Sequence, residues 1–224
     1  MSSSSLEVPI PDRVAAGRAL AELLAGQGGT DSVVLALPRG GVPVAFEIAE
    51  ALGCPLDLML VRKLGVPGHS EFAMGAIASG GVRVLNEDTL RSLGIGEVAI
   101  EAVERREAEE LARRERVYRG ERPAPNLRGK RVILVDDGIA TGATMRAAVQ
   151  AVRTLGAARI IVAVPVGAQE TLAALRHEAD EVICPLSPEP LWSIGRWYRD
   201  FSQTSDEEVI DLLGRAWGAK ERQV

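Results

Sequence analysis

Short, unbroken apolar runs alternate with longer segments of helical period along most of the chain. Behind Asp12, a helix N-cap candidate, Val14, Ala15, Leu20, Leu23 and Leu24 recur every three to four residues and predict a helix that ends near 26–29. Residues 32–37 (SVVLAL) then read as a strand buried on both faces, punctuated by Pro38-Arg39-Gly40-Gly41 before a helical stretch over 42–52. Residues 56–61 predict a second buried strand that runs into Arg62-Lys63. The glycine-rich text from 64 to about 81 predicts a mobile loop or short hairpin, with brief strands near 73–78 and 82–85. Residues 97–119 carry dense charge of mixed sign and predict a long, largely solvated helix stopped by Pro123 and Pro125. The second half is more regular, with strands at 131–135, 159–164 and 180–184 and helices at 144–155 and 170–178.

Strands alternating with helices imply right-handed βαβ crossovers. The expected fold class is therefore α/β: a doubly wound, mainly parallel five-stranded sheet with an inserted flexible loop or hairpin and a small C-terminal lobe. The chain of 224 residues is sized for a single domain, with a core over about 12–184 and the lobe and a last helix over about 185–218. Composition adds mainly exclusions. A formal charge of -5 argues against a nucleic-acid binder working through bulk charge. Cys54 and Cys184 are far apart and have no CxxC or Cys/His partner pattern, which argues against a disulfide scaffold or structural zinc. The opening MSSSSLEVPIP lacks the basic and apolar regions of a signal peptide, and no apolar run reaches transmembrane length. A cytoplasmic protein without a membrane partner is the expectation.

The chemistry concentrates in Val132-Ile-Leu-Val-Asp-Asp-Gly-Ile-Ala-Thr-Gly-Ala-Thr-Met145. An apolar strand delivers two adjacent carboxylates to its C-terminal end, where open α/β sheets hold ligands. Gly138 and Gly142 permit tight turns, and amides from Ala140 to Thr144 can converge on a phosphate at the following helix N-terminus. Thr141 and Thr144 add hydroxyls. Ala143 stands where a Walker A loop needs lysine, and the two glycines are wrongly spaced for a dinucleotide fingerprint. Paired acids beside a bare phosphate would repel it. They make sense beside sugar hydroxyls and a divalent cation.

This segment resembles the signature of type I phosphoribosyltransferases, which bind 5-phosphoribosyl-1-pyrophosphate (PRPP). The resemblance implies that Asp136 and Asp137 hold the ribose hydroxyls, with Mg2+ nearby, directly or through water. It implies that Gly138, Ala140, Thr141, Gly142, Ala143 and Thr144 cradle PRPP through its 5'-phosphate. In purine-using members the second acid lies near the base, so the resemblance also implies a proton-transfer role for Asp137. The same family grips pyrophosphate with the loop after the first core strand, often through a non-proline cis peptide. Here that loop contains Arg39 and Gly40, the expected flanks of such a bond. A basic residue after the second core strand also reaches pyrophosphate in the family. Arg62 and Lys63 are the candidates, with Arg62 favoured for bidentate contact and included in the catalytic set. The closing loop would be 64–80, with His69, Ser70 and Glu71, none given a firm role. Five of the eight aromatics fall in the last 33 residues, suggesting an acceptor-binding hood in which Trp192 is the stacking candidate. The implied activity is Mg2+-dependent transfer of phosphoribosyl to a nitrogenous acceptor, with a nucleobase as the first expectation, by a homodimer. A non-catalytic PRPP-binding regulator is the alternative, and no acceptor-specific hood pattern is recognisable.

Overall fold

The computed structural model describes residues 6–221; residues 1–5 and 222–224, and the side chains of Ser70, Glu71 and 219–221, lie outside the described residues. Five parallel strands form the main sheet in the order β2-β1-β6-β7-β8: β1 (Ser32–Ala36), β2 (Leu56–Leu58), β6 (Arg131–Val135), β7 (Arg159–Ala163) and β8 (Glu181–Ile183). In the three central strands the side-chain alternation feeds two cores. Val34, Ala36, Ile133, Val135, Ile161 and Ala163 face one core, and Val33, Leu35, Val132, Leu134, Ile160 and Val162 face the other. The first is covered by α1 (Arg13–Leu23), α2 (Gly41–Leu52) and α7 (Asp206–Glu221), the second by α5 (Ala143–Thr154) and α6 (Gln169–Leu175). This is the doubly wound α/β architecture the sequence predicts. Ala36, Val135 and Ala163 are level in register, so the loops leaving β1 and β6 emerge side by side at one edge.

The middle of the chain departs from expectation. The second core strand stops at Leu58, and Val61 already opens a separate antiparallel sheet of β3 (Val61–Val66), β4 (His69–Ala78) and β5 (Val82–Leu85). The segment expected as a mobile loop or short hairpin is thus a hairpin, longer than expected and with register shifts at Leu64/Gly65 and Gly65/Val66. Its glycines read as turn signals, yet Leu64 and Val66, then Met74, Ala76 and Ala78, recur every second residue and are buried. Helix α3 (Glu87–Leu93) is an addition to the expected elements. Asn86 caps it by accepting the Thr89 N–H at 3.1 Å, and Gly94, with φ 64°, ends it.

Helix α4 (Glu97–Arg119) has the predicted span but is more than a solvated rod: Ile100, Leu111 and Tyr118 are buried. At its end the buried Arg119 donates to Asp57 Oδ1 at 2.7 Å and to the Leu58 carbonyl at 2.6 Å, tying α4 to β2. The C-terminal lobe is irregular apart from a 3-10 turn, Ile194–Trp197. Its anchor is the segment before α1: the Ile10 N–H donates to the Trp197 carbonyl and the Arg199 N–H donates to the Ile10 carbonyl, at 2.7 and 2.8 Å.

Candidate active site

The two loops at the sheet edge interlock so closely that glycine is required where they touch. A Cβ on Gly40 would fall 1.9 Å from Asp137 Oδ2, and one on Gly41 would fall 2.6 Å from the Val135 carbonyl oxygen and 3.0 Å from Asp136 Cα. The cis peptide in the β1–α2 loop joins Pro38 to Arg39, one residue earlier than the expected Arg39–Gly40 bond. Both glycines follow it directly and provide the contact surface for β6.

After the acids the chain is pinned on both sides. The Ile139 N–H donates to the Val166 carbonyl at 2.9 Å, the Ala168 N–H returns to the Ile139 carbonyl at 3.0 Å, and Thr171 Oγ1 donates to the Ala140 carbonyl at 2.6 Å. Gly142, with φ 71°, turns the chain into α5. The first intrahelical bond there is from the Arg146 N–H to the Gly142 carbonyl, and no side chain caps the end. The amides of Ala143, Thr144 and Met145 therefore have no acceptor within the helix. Thr141, Ala143 and Thr144 are exposed. A fixed turn with unused donors and a favourable helix dipole suits an anion.

Beside this cradle the acids carry opposed electrostatic influences. Burial and the neighbouring charge of Asp137 push the Asp136 carboxyl well above the usual carboxylate range, although its Oδ1 accepts the Asp137 N–H at 2.9 Å. Burial also raises Asp137, against a lowering influence from the Arg13 guanidinium. Arg13 Nε and Nη2 both lie 2.8 Å from Asp137 Oδ2. Tyr198 donates its hydroxyl to the Asp137 carbonyl oxygen at 2.7 Å, and burial pushes its own ionisation up, so it stays a phenol. Neither Arg13 nor Tyr198 is assigned to the site by sequence reasoning. Arg13 follows a helix cap like any surface arginine, and only the fold brings residue 13 to residue 137.

The adjacent basic residues separate onto opposite faces of β3. Lys63 lines a cleft of about 580 Å3 together with Ala143, Thr144, Arg146 and Gln150 of α5. Arg62 turns the other way and donates to Glu107 Oε2 of α4 through Nε at 3.0 Å and Nη2 at 2.6 Å. Arg62, the favoured candidate from the sequence, is thus engaged with α4. Because β3 has a two-residue period, only one of the pair can face α5, and that one is Lys63. Arg39 stays half-buried, its Nη1 3.7 Å from Asp206 Oδ1 at the start of α7; Tyr118 donates to the same oxygen at 2.6 Å. In the lobe, a Cβ on Gly138 would meet Ile194 Cγ2 at 2.5 Å, so the 3-10 turn rests on the signature loop. Trp192, two residues earlier, is 76% exposed at φ 58°. It borders a cleft of about 370 Å3 with Pro188, Pro190, Arg196 and Trp197. Trp217, on α7, acts as structure: it donates its indole N–H to the Leu56 carbonyl at 3.0 Å.

A sheet-edge turn with two acids, unused helix amides and a glycine-locked neighbouring loop defines a class of protein, and comparison agrees. The model of the phosphoribosyl transferase domain family matches residues 8–195, and the chain belongs to that family. Proteins from two strains of Mycobacterium tuberculosis, provisionally named phosphoribosyl transferases, are each 50% identical to it over 205 residues, covering 92% of this chain and 46% of the relative. The chain thus spans about half the length of the curated relatives it matches. It is also similar to the crystal structure of TT1426 from Thermus thermophilus, at 44% identity and a TM-score of 0.82, covering 90% of this chain and 96% of that one.

Proposed function

We propose that this chain is a phosphoribosyltransferase that uses PRPP and Mg2+, transfers the 5-phosphoribosyl group to a nitrogenous acceptor, in our reading a nucleobase, and releases pyrophosphate. The observation that carries the reading is the turn from Val135 to Thr144, where two acids flank a set of unused amides and Gly40 leaves room for nothing larger. In this reading the amides and hydroxyls from Ala140 to Thr144 bind the 5'-phosphate, with Gly138 allowing the turn. Asp136 and Asp137 accept the ribose hydroxyls. Arg39, Gly40 and the loop around them bind pyrophosphate, and Lys63 faces the phosphate loop across its cleft. The salt bridge from Arg13 favours hydroxyl binding over proton transfer for Asp137.

Among the described residues, no group of three or more His, Cys, Asp or Glu could hold a metal ion by itself. Asp136 and Asp137 are hard oxygen donors, and Mg2+ ordinarily combines one or two carboxylates with waters and substrate phosphates, so the donor set fits. Bound there, Mg2+ would offset the charge of pyrophosphate as it leaves. The protein's own residues hold the ribose and clamp the leaving group, while the acceptor nitrogen approaches from the lobe side, where Trp192 is the proposed stacking surface. Water exclusion matters because an oxocarbenium-like centre hydrolyses readily. A single domain of core plus lobe, acting as a cytoplasmic homodimer without nucleic acid, completes the reading; no described helix is long and apolar enough to cross a membrane.

An assay of radiolabelled PRPP with Mg2+ against a panel of purine and pyrimidine bases tests it. At least one base is expected to yield a labelled nucleotide with equimolar pyrophosphate. PRPP binding without turnover on any base would favour the regulator instead.

A further inference from the structure

Arg13 belongs to α1, far in sequence from the signature loop, yet every nitrogen of its guanidinium is committed around Asp137. Nε and Nη2 hold Asp137 Oδ2, while Nη1 donates to the Ser202 carbonyl at 2.6 Å. The guanidinium carbon lies 4.1 Å from the Phe201 ring centroid, and that ring packs on Tyr198 at 4.9 Å between centroids. Tyr198 in turn bonds the Asp137 carbonyl, and its strand position is set by the parallel bridge from Ile10. The start of α1, the lobe and the second acid therefore form one closed circuit. Only 11% of the Arg13 side chain and 15% of the Asp137 side chain is exposed. Asp137 Oδ2 thus lies between the guanidinium and the space that a side chain at position 40 would fill.

We propose that Arg13 is a positioning residue for the sugar: it fixes the Asp137 carboxylate in the orientation that receives the ribose hydroxyls, and couples that orientation to the lobe. The inference rests on the PRPP reading above. Arg13 acts through Asp137 and not on the ligand, because three of its five N–H donors are spent on Asp137 and Ser202 and only 11% of its side chain is exposed. Arginine is needed at this position, since a single ammonium cannot reach Oδ2, the Ser202 carbonyl and the Phe201 face together.

The test compares two ligands on the full chain by calorimetry, PRPP with Mg2+ and pyrophosphate with Mg2+. Arg13→Gln is expected to weaken PRPP by about tenfold, the size of one lost charge-assisted contact, and to leave pyrophosphate within about twofold. Arg13→Lys, which keeps the charge and one donor, should recover part of the PRPP loss and serves as the test variant if Arg13→Gln does not fold. Equal losses for both ligands, or no loss for PRPP, would overturn the assignment. Wild-type protein that takes up no PRPP would instead reject the underlying reading of the site.

Discussion

Gly40→Ala is expected to weaken PRPP binding by about a hundredfold while the chain still folds. The added methyl would sit 1.9 Å from Asp137 Oδ2, less than any non-bonded contact allows. Relief must come from one of two places. If Asp137 swings, it leaves the Arg13 guanidinium and breaks a largely buried ion pair, which costs about 3–5 kcal/mol when one partner is left uncompensated. If the β1–α2 loop moves, Gly41 loses its fit against the Val135 carbonyl and the loop amides leave the pyrophosphate side. Either route separates two halves of one binding surface, and about 3 kcal/mol corresponds to a hundredfold in affinity. Titration of the purified variant with PRPP and Mg2+ measures it. Binding within about threefold of wild type would mean that the loops do not need this closeness.

Asp136→Asn is expected to have an equally large effect of a different kind: loss of PRPP binding together with higher stability at neutral pH. The carboxyl is half-buried beside Asp137, and both burial and that neighbour raise its pKa. The sign follows directly. A carboxyl that holds its proton more tightly in the folded chain than in the unfolded one contributes stability at low pH. That contribution disappears as pH rises from the unfolded value through the raised folded one. At neutral pH, where the carboxyl is ionised in the unfolded chain, its raised folded pKa therefore opposes folding, and a neutral amide removes the opposition. Asn can still accept the Asp137 N–H that Asp136 Oδ1 accepts at 2.9 Å. Thermal unfolding at pH 7 should show a higher midpoint for Asp136→Asn than for wild type, with the gap narrowing towards acid pH. A lower midpoint at pH 7 would indicate that the acid is structural. Strain of this kind is kept where a ligand needs it.

How far the site is legible in the sequence depends on how local its determinants are. Strands β1, β6 and β7 are legible because burial on both faces leaves an uninterrupted apolar run, and the β6–α5 turn because its acids, glycines and threonines are contiguous. The hairpin of β3 and β4 is legible only in part: a short hairpin and a strand near 73–78 are expected, but Gly65, Gly68 and Gly75 hide the alternation of Leu64 and Val66 against Met74 and Ala76 that extends it. The choice between Arg62 and Lys63 needs the direction of β3, and that depends on a change of sheet at Met59-Leu60 that no single residue announces. Arg13 and Tyr198 lie furthest out of reach. Each is ordinary in its own segment, and their roles arise because Ile10 pairs with the lobe next to Asp137. Trp192 is the opposite case. It stands out as an aromatic in a proline-rich loop and proves solvent-facing, whereas Trp217 in the same region is tied to β2.

What occupies the turn between β6 and α5 decides whether the chain handles PRPP at all. A crystal structure of the full chain grown with PRPP and Mg2+ examines this most directly. The expected result is the 5'-phosphate within hydrogen-bond distance of the amides between Ala140 and Thr144, and the ribose hydroxyls on Asp136 and Asp137. Phosphate density confined to other basic surfaces, with those amides still bare under saturating ligand, would contradict it.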